Sequence, residues 1–216
     1  MVKIERTATP PPSLAIEREK KSGSYREPDV ILQLRQDFHD KCYLCEIDEL
    51  QSAEVEHLHS HGGDVDLMFS WPNLFLSCRH CNSIKNQSQY RDTILDCCNV
   101  DPEMVMQQEL RDGHVSVTPT SDSQEAIMTA KLLTECFEKK NTGIRTLEST
   151  TRVNALSRTM NTLYKTLSKH RMTPTMRSLK TLRGMLNRTY RFSGFTRTYV
   201  RMHLKEYPDL AEYVKL

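Results

Sequence analysis

Four cysteines stand in two pairs, Cys42-Tyr43-Leu44-Cys45 and Cys78-Arg79-His80-Cys81. Between the pairs lie Glu56-His57-Leu58-His59-Ser60-His61 and Trp71-Pro72-Asn73-Leu74-Phe75-Leu76, and Asn82-Ser83-Ile84-Lys85 follows directly. A two-residue spacer lets two thiolates reach one ion, and two such knuckles complete the four soft ligands of a tetrahedral structural zinc. The spacing therefore predicts Zn2+ held by Cys42, Cys45, Cys78 and Cys81. The stretch between the knuckles is longer than a compact zinc ribbon needs, so further structure must fold inside the clamp.

The residues inside it offer a different chemistry. Hydrolysis of a phosphodiester needs a base to activate water, a divalent cation to neutralise developing charge, and oxygen ligands for that cation. His57 suits the base; Glu56 and the amide oxygen of Asn82 suit a hard ion such as Mg2+ or Mn2+; Asn73 can hold the intervening loop by hydrogen bonds. Two registers stay open. The base is His57, which alone follows a carboxylate, or it is His59; alternatively His59 or His61 is an extra metal ligand. Lys85 is expected near the start of a helix, facing the site and able to meet phosphate. His80, inside a knuckle whose cysteines already fill a zinc shell, is read as a surface or phosphate contact. His39, His114, His170 and His203 receive no role.

These residues need a scaffold, and the flanking pattern supplies one. Pro28 takes the first position of a helix that runs to Lys41 with Val30, Ile31, Leu34 and Phe38 on one face, and it delivers Cys42. Gln51 to Leu58 reads as a strand ending in the Glu-His pair, Gly62-Gly63 as a loop, Leu74-Phe75-Leu76 as a second strand and Cys81 to about Arg91 as a polar helix. Residues 1–27, with Pro10-Pro11-Pro12, read as an arm suited to docking a partner rather than to filling a core. Asp112-Gly113 between two alternating runs predicts a hairpin. Asp122 and Glu125 are spaced as a capping box for a helix ended by Asn141-Thr142-Gly143. Three more helices follow: about Arg145 to His170 with Leu156, Met160, Leu163 and Leu167 in a stripe; one capped by Thr173 with Met176, Leu179, Leu182 and Leu186 inside; and one holding Phe195, Tyr199 and Met202.

The chain has 216 residues, of which 38% are hydrophobic and 27% charged. That suffices for one domain with an extension or for two small ones. No run approaches the roughly 20 apolar residues of a membrane span, and the N-terminus has no apolar signal region, so a cytoplasmic protein with reduced thiols is expected. The net charge of +2 hides an asymmetry: −11 up to Glu138 and +13 from Lys139 onward. Arg152, Arg158, Lys165, Lys169, Arg171, Arg177, Lys180, Arg183, Arg188, Arg191, Arg197 and Arg201 recur on the C-terminal helices. They offer a surface for phosphates or for an acidic partner, with Arg177, Lys180 and Arg183 as candidate contacts; a solvated helical face is the competing reading.

The order Cys-x-x-Cys, Val55-Glu56-His57, then Trp71-x-Asn73-Leu74-Phe75-Leu76-x-Cys78-x-x-Cys81-Asn82-x-x-Lys85 resembles the zinc-containing branch of the HNH endonucleases over about residues 42–90. The resemblance implies a ββα-metal core with His57 as general base, Glu56 in place of the commoner Asp as metal ligand, Asn73 as the central Asn and Asn82 as the closing ligand. The sequence departs where the family usually continues with an aromatic, a basic residue and a proline, and Leu58-His59-Ser60-His61 stands instead. Lys3-Ile4-Glu5-Arg6 with its prolines, Asp37-Phe38 before the first knuckle, Asp101-Pro102-Glu103 and Gly194-Phe195 to Tyr199 further resemble the PtuB-type nuclease subunits of Septu antiphage defence. That implies an ABC-like ATPase partner of the PtuA type and a DNA or RNA substrate; for relatives that accompany retrons it adds retron RNA/DNA and a reverse transcriptase. The expected architecture is α+β, mostly helical: an arm (1–27), a zinc-stabilised nuclease core (28–95), a hairpin-and-helix connector (96–143) and a basic helical region (144–216). A non-catalytic zinc-stabilised nucleic-acid-binding or adaptor module is the alternative.

Overall fold

A computed structural model describes residues 1–48, 50, 52–138 and 143–216. Prolines start the first two helices, α1 (Pro12–Arg18) and α2 (Pro28–Asp37), because a proline in the first turn has a helical φ and lacks only an N–H that the helix leaves free. α2 buries Val30 and Leu34. It stops at Asp37, short of the expected Lys41, because His39 and Asp40 take left-handed φ values of 53° and 56°. That turn aims the first knuckle at the sheet, where Tyr43 N donates to Leu76 O at 3.0 Å.

Residues 1–27 are not a free arm. Met1, Val2, Ile4 and Leu14 are buried, the Arg6 guanidinium lies 4.3 Å from the Trp71 ring centre, and Trp71 Nε1 donates to Thr7 O at 2.8 Å. The apolar side chains here are few and set among charges, which hides a segment that fills the core.

β1 (Ala53–His57) pairs antiparallel with β2 (Leu74–Cys78), in a register running from Ala53 opposite Cys78 to His57 opposite Leu74. The short helix α3 (Val65–Met68), capped by Asp64, lies in the loop between them. The start of the expected strand at Gln51 lies outside the described residues. β2 is buried along its length and runs straight into α4 (Arg79–Lys85), whose first turn is capped by the Cys78 sulfur. The expected extension to Arg91 breaks at Gln87, which is extended, and only a 3-10 turn at Ser88–Tyr90 follows.

Beyond α5 (Pro102–Val105), β3 (Met106–Arg111) and β4 (His114–Pro119) form the second hairpin. Asp112 and Gly113 both have positive φ, 51° and 79°, as a two-residue turn matched to strand twist requires. α6 (Gln124–Glu138) is capped by the Ser123 hydroxyl, which accepts from Ala126 N at 3.1 Å, and not by Asp122. Its expected end at Asn141-Thr142 lies outside the described residues. α7 (Gly143–Met172) buries the full Leu156, Met160, Leu163, Leu167 stripe. α8 (Met176–Met185) is capped by Thr175 in a box with Ser178 rather than by Thr173, and Met176 is exposed rather than inside. α9 (Ser193–Met202) is followed by a 3-10 stretch at Pro208–Val214.

The fold is α+β with two small antiparallel sheets, and about half of the chain, rather than most of it, is helical. One buried cluster takes side chains from Met1 to Val214, so the four expected segments share a core. Among the described residues no helix is long and apolar enough to cross a membrane.

The C-terminal helices are tied to α5 by Glu103. Its buried carboxylate accepts from Arg197 Nε at 2.8 Å and Arg188 Nε at 3.0 Å and also pairs with Arg201. Burial pushes the Glu103 pKa up, but Arg197 and Arg201 outweigh it and hold the group below its ordinary value. A depressed carboxylate contributes stability above the unfolded pKa of about 4.3 and loses it as pH falls through the folded value. Glu103→Gln is therefore expected to be less stable than wild type at pH 7 and to lose less on acidification below about pH 4, read from urea midpoints at both pH values. Equal acid sensitivity of the two chains would remove Glu103 from this role.

Candidate functional site

The two knuckles converge. The sulfurs of Cys42, Cys45, Cys78 and Cys81 all lie within 4.8 Å of one another, all four residues are buried, and Cys45 and Cys78 are 3.9 Å apart. A tetrahedral zinc with Zn–S bonds of about 2.3 Å sets S–S edges of about 3.8 Å, so the tetrad fits Zn2+. α7 adds a residue that no spacing signalled. Arg152, buried, donates Nη2 to Cys78 Sγ at 3.1 Å while its Nη1 bonds Glu148 Oε2 at 2.6 Å. The neighbouring thiols and the Arg152 charge hold the Cys78 thiol well below its ordinary pKa, whereas burial pushes Cys42 and Cys81 up. Four thiolates on one Zn2+ leave a double negative charge, and a buried guanidinium offsets part of it. His80 is neither at the surface nor free for phosphate: it is buried, and Nε2 bonds Cys136 O at 2.9 Å.

The loop end of the same hairpin carries a polar cleft of about 200 Å³, lined by Tyr25, Arg26, Glu56, His57, Ser60, His61, Asn82, Lys85, Asn86 and Arg91, among others. Strand alternation turns Glu56 inward and His57 to the other face. His57 Nε2 lies 3.0 Å from Met68 O. A carbonyl can only accept, so Nε2 carries the proton and Nδ1 keeps a lone pair. Burial lowers the His57 pKa, and His61 and Lys85 lower it further against the Met68 carbonyl, which keeps the ring neutral near pH 7 and able to take a proton. Its ring sits edge-on to Tyr25 at 4.6 Å and 4.7 Å from that of His61.

Asn73 is buried and holds the loop at three points. Its Oδ1 accepts from His59 N at 2.8 Å, and its Nδ2 donates to His59 O at 3.0 Å and to Leu67 O at 3.1 Å. His59 is thus pinned by its backbone while its side chain is exposed, outside the residues that line the cleft. His61 lines the cleft, but its Nδ1 accepts from Gly63 N at 3.2 Å.

Lys85 differs most from its expected place. It is the last residue of α4 and 2% exposed. Its ammonium donates to His57 O and, at 2.7 Å, to Leu58 O, and lies 2.6 Å from Glu56 Oε1. It anchors the end of β1 and is not available to a phosphate. Glu56 is also buried; burial pushes its pKa up, against the pull of Lys85. The ammonium approaches Oε1 off the hydrogen-bond direction, and the buried Tyr43 hydroxyl also interacts with the Glu56 carboxylate. A carboxylate in a cleft shared with the amide of Asn82 is the kind of oxygen donor a hard divalent cation takes. Mg2+ or Mn2+ therefore fits here chemically, with Glu56 and Asn82 to hold it and Lys85 as the competing cation. Lys85→Met is expected to cost about 3–5 kcal/mol, because it leaves a buried carboxylate without its cation; Glu56→Gln in the same chain should restore much of that. Thermal denaturation of the two single variants and the double measures this, and additive losses would show that the two groups are not coupled.

Asn86 and Tyr25 were not anticipated. Asn86 stands one helical turn after Asn82 and donates Nδ2 to Asn82 Oδ1 at 3.0 Å; that spacing of four was readable. Tyr25 comes from the supposed arm and had no signal. His170, given no role, bridges Ser178 Oγ at 2.7 Å and Asp209 Oδ2 at 2.6 Å. The serine is buried, and its hydroxyl serves the α8 cap by bonding Thr175 O and N, so the trio ties helices together rather than presenting a nucleophile.

No family model matches the sequence, and a search of curated proteins finds no match.

Proposed function

We propose that the chain is a metal-dependent endonuclease of HNH type that hydrolyses phosphodiester bonds in DNA or RNA. The observation that carries the reading is His57, whose Nε2 is fixed on Met68 O and whose neutral ring lines a cleft with Glu56 and Asn82. In this reading His57 Nδ1 takes a proton from a water molecule, the water oxygen forms a bond to phosphorus, and the P–O ester bond breaks, its oxygen leaving with the bonding electron pair and taking a proton from solvent. Arg26 and Arg91 at the cleft neutralise the non-bridging oxygens, and Asn73 keeps the loop from shifting the base. A divalent cation held by Glu56 and Asn82 supplies charge neutralisation at the phosphate when bound.

A role as effector subunit beside an ABC-like ATPase, in antiphage defence, rests on the resemblance of the outer segments. The non-catalytic reading has one observation in its favour, the Lys85 ammonium against Glu56. Cleavage separates the two. With Mg2+ or Mn2+ and the ATPase partner, the chain should cut DNA or RNA and His57→Ala should not, at equal zinc content. Binding without any metal-dependent product across both nucleic acids would favour the non-catalytic module.

A further inference from the structure

We propose that the exposed face of α7 and α8 is a track for a nucleic-acid backbone; naming the polyanion rests on the nuclease reading, while the face itself does not. Residues 149–205 contain 13 Lys/Arg and no Asp or Glu. The structure sorts the twelve cations flagged in the sequence into two sets, and places two of them, Arg188 and Arg191, in the turn between α8 and α9 rather than on a helix. Arg152, Arg171, Arg188, Arg191, Arg197 and Arg201 are engaged by acids of the chain itself. Arg158, Lys165 and Lys169 on α7 and Arg177, Lys180 and Arg183 on α8 are exposed, and none has an ion-pair partner among the described residues.

On α7 the three cations are spaced by seven and then four residues. At about 100° and 1.5 Å per residue, they share an arc of about 40° along about 16 Å of axis. Asn161, Thr162 and Ser168, exposed and uncharged, fill the gaps, and the opposite stripe is buried in the core. α8 follows after a turn at 173–175 and packs against α7. Cations repeated along one helix face with no intervening acid repel, and a polyanion relieves that repulsion by replacing the counterions along the row. Lys, Arg, Ser, Thr and Asn are the side chains that meet phosphates, whereas Lys is depleted at protein–protein interfaces; the composition favours a phosphate backbone over an acidic protein.

The test uses the full chain with His57→Ala, no added divalent ion, and fluorescent DNA and RNA duplexes over a salt series. Lys165→Gln with Lys169→Gln should weaken binding roughly tenfold or more and reduce the slope of log K against log salt by about two. Lys21→Gln with Lys131→Gln, equal in charge and exposed elsewhere, should change neither. Unchanged affinity and slope in the first pair, or equal losses in both, overturns the proposal. Absence of salt-dependent binding to either duplex overturns it too and leaves an acidic protein as the partner of this face. Since binding is read on a chain without its base, failure to cleave with binding intact counts against the nuclease reading alone.

Discussion

Cys81→Ser is expected to yield a chain that no longer retains one zinc and melts more than about 10 °C below wild type. Apparent binding free energies of structural zinc, about 10–16 kcal/mol, are as large as the whole stability of a domain, about 5–15 kcal/mol. Losing even several kcal/mol moves a chain of this size by about 2–4 °C per kcal/mol. The site also joins distant parts of the fold: the first knuckle meets β2 through Tyr43 N, the second caps α4, and Arg152 brings in α7. Arg152 offsets part of the charge of the four thiolates through Cys78 Sγ, so Arg152→Met should also lower zinc retention against a chelator while keeping every ligand. Cys98→Ser, outside the tetrad and only half-buried, should leave zinc content and melting unchanged. Metal analysis with differential scanning calorimetry checks all three, and one zinc per Cys81→Ser chain with wild-type melting would refute the tetrad as a structural zinc site.

What the sequence disclosed is what short range can encode. The knuckles are legible because a two-residue spacer has few other uses in a reduced protein. The Asp112-Gly113 hairpin is legible because the turn chemistry sits inside the alternating runs, and the α7 stripe because leucine and methionine recur at helical spacing. What stayed hidden was pairing between charges far apart in the chain. Arg152 and Cys78 are separated by 74 residues, and Arg197 and Glu103 by 94. An arginine that neutralises a buried group and one that faces solvent have the same local sequence. Burial alone separates them, and burial is a property of the assembled core. Lys85 differs for the same reason: a lysine near a cleft reads as a phosphate contact until its three oxygen partners, on β1 and at Leu58 just beyond it, are in view. The segment 1–27 was misread because Met1, Val2, Ile4 and Leu14 are too few to register as a pattern, although each is buried.

His57→Ala is expected to lower metal-dependent cleavage by about 10²–10⁴-fold, the range for removal of a general base, with zinc content and melting near wild type because the imidazole is only half-buried. The same experiment chooses between the histidines. His59→Ala should cut within a few-fold of wild type, since its role in the loop is carried by its backbone N–H and carbonyl, both held by Asn73, and alanine keeps both. Asn73→Ala should reduce cutting despite never touching substrate, because it frees three loop contacts at once and lets the base drift; binding of the nucleic acid should change less than turnover. The pattern matters more than any single value. Loss confined to His57 and Asn73 is what a base oriented by Met68 O in a loop fixed by an asparagine requires. Loss at His59 with cleavage retained by His57→Ala would mean that the loop rearranges when substrate binds, bringing an exposed ring into the cleft, and the base would then have to be reassigned to His59.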